Sequence, residues 1–264
     1  MKKKALGLLI AVLGVLCLVC GALLLLQGNP TPVTAEPSPS STVEATPSPA
    51  PAETPEPVSS QPEATEEPYV SPFDFASLQG VNPDIYGWLE IPGTEFDFPL
   101  VQRKGDDSFY LTHDSDGNES SAGAIFTESA YNSTTMEDPV TVAYGHQMHA
   151  GTMFGKLQET YSQENALEDY GEIIVYLPEK ELHYQVFAAV PYDNRHILYN
   201  YDCTDSRRFN AFLYSIYEVR EIGAQFASGV TVSNDDKVLV LSTCLAGNSQ
   251  RRYLVLAVCQ AEID

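Results

Sequence analysis

Residues 238–258 constrain the fold of this chain more than any other stretch, because two short apolar runs flank a polar loop. Both runs are rich in Val and Leu and too short for independent helices, so they predict two neighbouring β-strands. Cys244 then lies where the first strand ends, and Arg251 and Arg252 lie where the second begins. A thiol at a strand end beside cations can act as a nucleophile, whereas a thiol in apolar packing stays inert. On this stretch alone, a structural cysteine remains the alternative.

The front of the chain has the composition of a membrane anchor. Three lysines at residues 2–4 precede an unbroken apolar run from Ala5 to Leu26, close to the ~20 residues that span a bilayer core. The lysines are expected to stay in the cytoplasm, which places the rest of the chain outside the cell. No small-residue cleavage site follows Leu26. Residues 1–28 therefore predict a single-pass anchor in the cell membrane, with an extracellular catalytic domain.

Residues 29–72 consist mainly of Pro, Ser, Thr, Ala and Glu, and they contain no basic residue. Such a segment buries too little apolar surface to offset its chain entropy, so it predicts a disordered stalk. Residues 73–264 are numerous enough for one well-packed domain. The net charge of −22 disfavours nucleic-acid partners, which need clustered Lys and Arg.

The thiols outside the apolar run are odd in number: Cys203, Cys244 and Cys259. At least one of them is therefore free in an exported domain, and no disulfide-rich framework is expected. A bridge between Cys203 and Cys259 remains open.

Short apolar segments separated by turn signals fill the domain. They predict strands at 85–91, 98–102, 123–126, 139–146, 173–177, 182–190 and twice within 238–258, with short helical segments at 73–80 and 153–161. The clearest helix covers 206–222, where apolar side chains share one face. Several short strands with few helices favour a mixed, mainly antiparallel sheet closed into a barrel.

Three side chains at predicted strand ends suit nucleophilic chemistry at a carbonyl. Cys244 offers a thiol, His146 an acid or base, and Arg252 a donor for an oxyanion. The structural alternatives are a strand-end histidine and a surface ion pair. Ser242, which alternation places on the same side as Cys244, and Thr243 are candidate substrate-binding residues.

Zinc chemistry is the competing interpretation, with His113, His146 and His149 as ligands. The last two lie in a glycine-bounded loop rather than on a helix that would align their rings, so we expect no metal and no cofactor. His183 and His196 are interpreted as surface residues. No phosphate-binding glycine loop and no Gly-x-Ser-x-Gly elbow occurs, which disfavours nucleotide enzymes and serine hydrolases.

The same segments resemble the class B sortases. Leu241-Ser-Thr-Cys244 is similar to the Thr-Leu-x-Thr-Cys strand end of that family, with Val240 in place of the first Thr. Tyr144-Gly-His146-Gln-Met148 resembles the catalytic-histidine segment, and Arg252 with the apolar run behind it resembles the arginine that opens the last strand. Further similar stretches lie at 84–94, 109–114, 123–126 and 151–155.

This resemblance implies a mainly β fold, a closed eight-stranded barrel with N-terminal helices and one long helix before the catalytic strand. It also implies a Gram-positive cysteine transpeptidase that cleaves secreted proteins after the threonine of a C-terminal sorting motif, through a thioester. The acceptor is an amine of peptidoglycan or its lipid-linked precursor. Cys244 is the implied nucleophile, His146 the acid and then the base, and Arg252 the oxyanion or motif ligand, with Arg251 in reserve.

Two alternatives remain from the sequence. An extracellular cysteine endopeptidase would pass the same thioester to water, and a non-enzymatic surface-binding module would need no reactive thiol. An added amine separates the first alternative from a transpeptidase, because only a transpeptidase yields ligated product.

Overall fold

The computed structural model describes residues 68–264. The predicted anchor and nearly all of the predicted stalk lie outside the described residues. The helices are α1 (Phe75–Val81), α2 (Leu157–Tyr161), α3 (Ala166–Asp169), α4 (Ile197–Asn200) and α5 (Ser206–Tyr217), with a short 3₁₀ helix at Phe109–Leu111. The strands are β1 (Ile85–Glu90), β2 (Asp97–Val101), β3 (Ile125–Phe126), β4 (Val140–Tyr144), β5 (Glu172–Tyr176), β6 (Glu181–Tyr192), β7 (Gln225–Phe226), β8 (Val238–Leu245) and β9 (Asn248–Ile263).

Eight strands close into a barrel. Their order is β5-β1-β2-β3-β4-β8-β9-β6, and β6 pairs with β5 to complete the ring. The short β7 is a ninth strand that pairs with Ala188 and Ala189 of β6. The neighbours are antiparallel except for β2 with β3 and β4 with β8. The predicted mainly antiparallel, eight-stranded barrel is confirmed.

Strand β8 is apolar on both faces because each face is covered. Leu239 and Leu241 point into the barrel core, whereas Val238 and Val240 belong to a second core on the outer face, beneath α5. A strand buried on both sides reads as a continuous apolar run. The alternation carries on to the end of the strand and places the Cys244 side chain on the outer face with Val240.

Helix α5 begins where its sequence predicts and ends earlier. The side chain of Asp205 accepts hydrogen bonds from the backbone N–H groups of Arg207 and Arg208, both at 3.1 Å, which caps the first turn. The helix ends at Tyr217 instead of residue 222. The chain must turn to enter β7, and Gly223 supplies the left-handed backbone, with φ of +91°.

The prediction of a single-pass membrane protein with an extracellular head is contradicted. Within residues 68–264 no helix is both long and apolar enough to cross a bilayer. The longest helix there, α5, has 12 residues, against the ~20 that a membrane span requires. The apolar run from Ala5 to Leu26, on which the prediction rested, lies outside the described residues.

Candidate active site

The thiol of Cys244 faces the guanidinium of Arg252 across two neighbouring strands. The antiparallel register of β8 and β9 places these residues directly opposite each other. Arg252 Nη1 lies 3.7 Å from Cys244 Sγ. The same nitrogen donates to the carbonyl oxygens of Ser249, at 3.1 Å, and Arg251, at 3.2 Å. The guanidinium is thus fixed beside the sulfur, where its charge can neutralise a developing anion.

Arg251, the reserve candidate, is bound elsewhere. Its Nη1 and Nη2 donate to the two carboxylate oxygens of Glu221 at 2.5 and 2.6 Å, and its Nε donates to the carbonyl of Tyr192 at 3.2 Å. The guanidinium of Arg251 holds the pKa of the Glu221 carboxyl below its usual value. The structure therefore assigns the position beside the thiol to Arg252.

His146 reaches the same end of the barrel on a neighbouring strand. Strands β4 and β8 run parallel with Tyr144 beside Ser242, and the N–H of Gly145 donates to the Ser242 carbonyl at 3.1 Å. His146 and Cys244 each follow that pair by two residues, so the imidazole and the thiol extend from adjoining strand ends. A Cβ on Gly145 would lie 2.5 Å from Ile125 and 2.6 Å from Phe154, which excludes larger residues there.

The His146 ring is held by backbone groups of two other segments. Its Nε2 lies 2.8 Å from the carbonyl oxygen of Leu111. Its Cδ2 packs against the open side of Gly123, where a Cβ would lie 3.1 Å away. The ring is half-buried. Neither contact is made to a side chain, so a sequence motif cannot reveal either of them.

A small pocket adjoins the arginine. It is lined by Tyr144, Tyr192, Asp193, Asn194, Arg195, His196, Ile197, Ser242, Arg252 and Leu254. Ser242 therefore reaches the site together with Arg252. Thr243 does not, because its side chain is 2 % exposed and its hydroxyl is buried with no hydrogen-bond partner.

His196 is partly exposed, as its sequence context indicates, but its ring is also paired. Its Nε2 lies 2.7 Å from a carboxylate oxygen of Glu128, and its Nδ1 accepts from the backbone N–H of Tyr199 at 3.1 Å. Burial raises the pKa of Glu128. The two partners are 68 residues apart in the sequence, so no local sequence pattern indicates this pair. His196 lines the pocket beside Arg252.

The alternative zinc set is not assembled. Within residues 68–264 no group of three or more His, Cys, Asp or Glu side chains is placed to hold a metal ion. His113 instead stacks on Phe109, with ring centroids 3.7 Å apart. Cys203 and Cys259 are free thiols, so the bridge that the sequence left open does not form.

Comparison with known proteins places this geometry in a family. The sortase domain model matches residues 89–260. The chain is 29% identical to sortase B of Listeria monocytogenes over 182 residues, covering 65% of this chain and 67% of that protein. It is 28% identical to sortase B of Staphylococcus aureus, covering 69% and 73%.

Solved structures agree with that match. A complex of Staphylococcus aureus sortase B with substrate superposes with a TM-score of 0.59 at 27% identity, over 70% of this chain and 84% of that one. A Streptococcus pyogenes class B sortase involved in pilus biogenesis gives 0.61 at 25% identity, over 71% and 98%. The chain therefore belongs to the sortase family, in its class B, and is a cysteine transpeptidase of cell-wall protein sorting.

Proposed function

We propose that Cys244 cleaves a sorting motif after its threonine, forms a thioester, and passes the acyl group to a peptidoglycan amine or its lipid-linked precursor. One observation carries the assignment of the residues: the Cys244 thiol and the Arg252 guanidinium are 3.7 Å apart, at a strand end adjoining His146. Residues 73–264 form the catalytic domain in this proposal.

The first step is attack of Cys244 Sγ, as a thiolate, on the threonyl carbonyl carbon, with His146 holding the proton of the thiol as an imidazolium. Negative charge then develops on the carbonyl oxygen, and stabilising it lowers the barrier. Arg252 is the proposed donor, because its Nη1 is anchored by two backbone carbonyls beside the sulfur. A planar guanidinium keeps further N–H groups for an oxyanion or for the motif backbone, which a lysine ammonium cannot arrange in the same way.

His146 handles the protons in both halves of the reaction. It protonates the departing amine when the C–N bond breaks and the thioester remains on Cys244. It then takes a proton from the accepting amine as that nitrogen attacks and the C–S bond breaks. The enzyme returns to its starting protonation state. Ser242, beside Arg252 in the pocket, is proposed to contact the bound motif.

Mass spectrometry of peptide products tests the proposal. The chain is incubated with threonine-containing sorting peptides, with and without an amine acceptor. We expect cleavage after threonine, and a ligated product when the amine is present. Cys244→Ala removes both products, whereas Cys203→Ala, which alters a buried free thiol, retains them. Hydrolysis alone in the presence of amine indicates an endopeptidase, and cleavage by Cys244→Ala overturns the proposal.

A further inference from the structure

The hydrogen bond between His146 and Leu111 determines where the imidazole carries its proton. His146 Nε2 lies 2.8 Å from the Leu111 carbonyl oxygen. A carbonyl oxygen only accepts hydrogen bonds, so Nε2 must donate. A neutral imidazole has a single N–H, and the hydrogen bond of one nitrogen sets the state of the other. Nδ1 therefore carries the free lone pair.

We propose that the Leu111 carbonyl fixes His146 in this tautomer, so that Nδ1 is the atom that exchanges protons with the substrate amines. The inference rests on the proposed acid–base role of His146 and specifies the reacting atom. Leu111 and Gly123 act here as positioning residues. They touch the imidazole and no reacting atom.

The carbonyl of Leu111 is held by a tertiary network. It belongs to the 3₁₀ helix Phe109–Leu111, whose central Tyr110 is buried. The Tyr110 hydroxyl donates to Asp84 at 2.7 Å and accepts from Asn82 at 2.8 Å. The Tyr110 carbonyl accepts from the N–H of Ala124 at 3.0 Å. The acceptor for His146 thus directly follows a residue that is held through both its side chain and its backbone carbonyl.

Gly123 provides the space in which the ring and the carbonyl meet. Its backbone is left-handed, with φ of +63°. A Cβ there would lie 2.5 Å from the Tyr110 carbonyl oxygen, 3.2 Å from the Leu111 carbonyl oxygen and 3.1 Å from His146 Cδ2. Only glycine lets the ring lie against the turn, so glycine at position 123 is needed for this orientation of the imidazole.

The proton transfers follow from this geometry. In the charged state both nitrogens carry protons, and the Nε2 proton stays on Nε2 in its hydrogen bond to the Leu111 carbonyl. Nδ1–H gives its proton to the amine that leaves as the thioester forms. The lone pair on Nδ1 then removes one proton from the attacking amine as the thioester breaks. Each turnover moves one proton out and one back through the same atom.

Two measurements test the inference. The first is a long-range ¹H–¹⁵N correlation spectrum of the ¹⁵N-labelled chain, recorded with the His146 ring neutral. The His146 signals are assigned by their absence from the spectrum of His146→Gln. We expect limiting shifts for a single tautomer protonated at Nε2, while the exposed His149 gives averaged shifts as an internal reference. A tautomer protonated at Nδ1, or averaged shifts for His146, overturns the inference.

The second measurement replaces His146 by Nδ1-methylhistidine, which blocks proton transfer at Nδ1, while Nε2 still donates to the Leu111 carbonyl when the ring is positively charged. We expect a loss of thioester formation of about 10²-fold or more, the usual contribution of acid–base catalysis. Activity within a few-fold of the unmodified enzyme overturns the inference. The spectrum needs no turnover, so a wrong tautomer is distinguishable from failure of the proposed function, in which the unmodified enzyme would not cleave peptides at all.

Discussion

The two halves of the candidate site are positioned in different ways. The thiol and the guanidinium belong to one β-hairpin, in which an unbroken antiparallel register runs from Val238 beside Val258 to Cys244 beside Arg252. The imidazole is oriented by backbone groups of distant segments, at Leu111 and Gly123. Local pairing therefore secures the thiol half, and long-range loop packing secures the imidazole half. Substitutions in each half are expected to fail in correspondingly different ways.

The largest expected effect comes from the thiol half. Arg252→Ala removes the proposed oxyanion donor, and we expect kcat for peptide cleavage to fall by about 10²- to 10³-fold. The fold should survive, because the hairpin is held by its backbone ladder. Arg251→Ala is the matched control: it removes the Glu221 ion pair and leaves kcat within a few-fold. Steady-state cleavage kinetics of both variants test this prediction. Equal losses of kcat in Arg252→Ala and Arg251→Ala would contradict the assignment of Arg252 as the oxyanion donor.

The imidazole half should lose rate and stability together. Gly123→Ala forces a Cβ to within 2.5 Å of a backbone oxygen, and overpacking of this kind costs about 1–3 kcal/mol of unfolding free energy. We also expect kcat to fall by about 10-fold or more as the ring is displaced. Denaturant unfolding and cleavage assays measure the two effects.

Gly117→Ala serves as the control for this pair. Gly117 also has a left-handed backbone, with φ of +87°, but a Cβ there meets no atom within 4 Å. It carries the same conformational strain without the contact to His146. Matching losses in Gly117→Ala and Gly123→Ala would show that strain alone, and not the position of the ring, explains the defect.

A smaller effect is expected at the support of the Leu111 turn. Tyr110→Phe removes the buried hydroxyl that links Asp84 and Asn82, and losing hydrogen bonds to a carboxylate and a buried amide costs about 1–3 kcal/mol. Chemical denaturation measures the change. Tyr214→Phe, at an exposed position of α5, should change the unfolding free energy by less than about 0.5 kcal/mol. A Tyr110 variant as stable as that control would mean that the network does not hold the turn.

The smallest effect is expected at Thr243 and has the opposite sign. Its hydroxyl is buried without a partner, so Thr243→Val should raise the unfolding free energy by about 1 kcal/mol. The KM of the Thr243→Val enzyme for sorting peptides should stay unchanged, whereas Ser242→Ala should raise this KM a few-fold. A raised KM in Thr243→Val would restore Thr243 as a substrate contact.

The same contrast explains what the sequence could predict. Cys244 and Arg252 lie at the ends of two adjacent apolar runs, so strand periodicity alone places them together. His146 could be placed at a strand end, but its partner is a backbone carbonyl, which has no residue type to recognise. The pairing of Glu128 with His196 and the early end of α5 depend on contacts between distant segments. Local patterns specify strands and helix starts, whereas tertiary packing decides these details.

The parallel pairing of β4 with β8 has a consequence for how the active site assembles during folding. Tyr144 and Ser242 are neighbours in space although nearly a hundred residues of chain separate them, and closing so long a loop carries an entropic penalty before any contact repays it. Contacts of such separation slow folding. Cys244 is also made late in synthesis, after most of the barrel. The thiol and the imidazole are therefore brought together only when the domain is almost complete, so that an incomplete chain lacks the assembled pair.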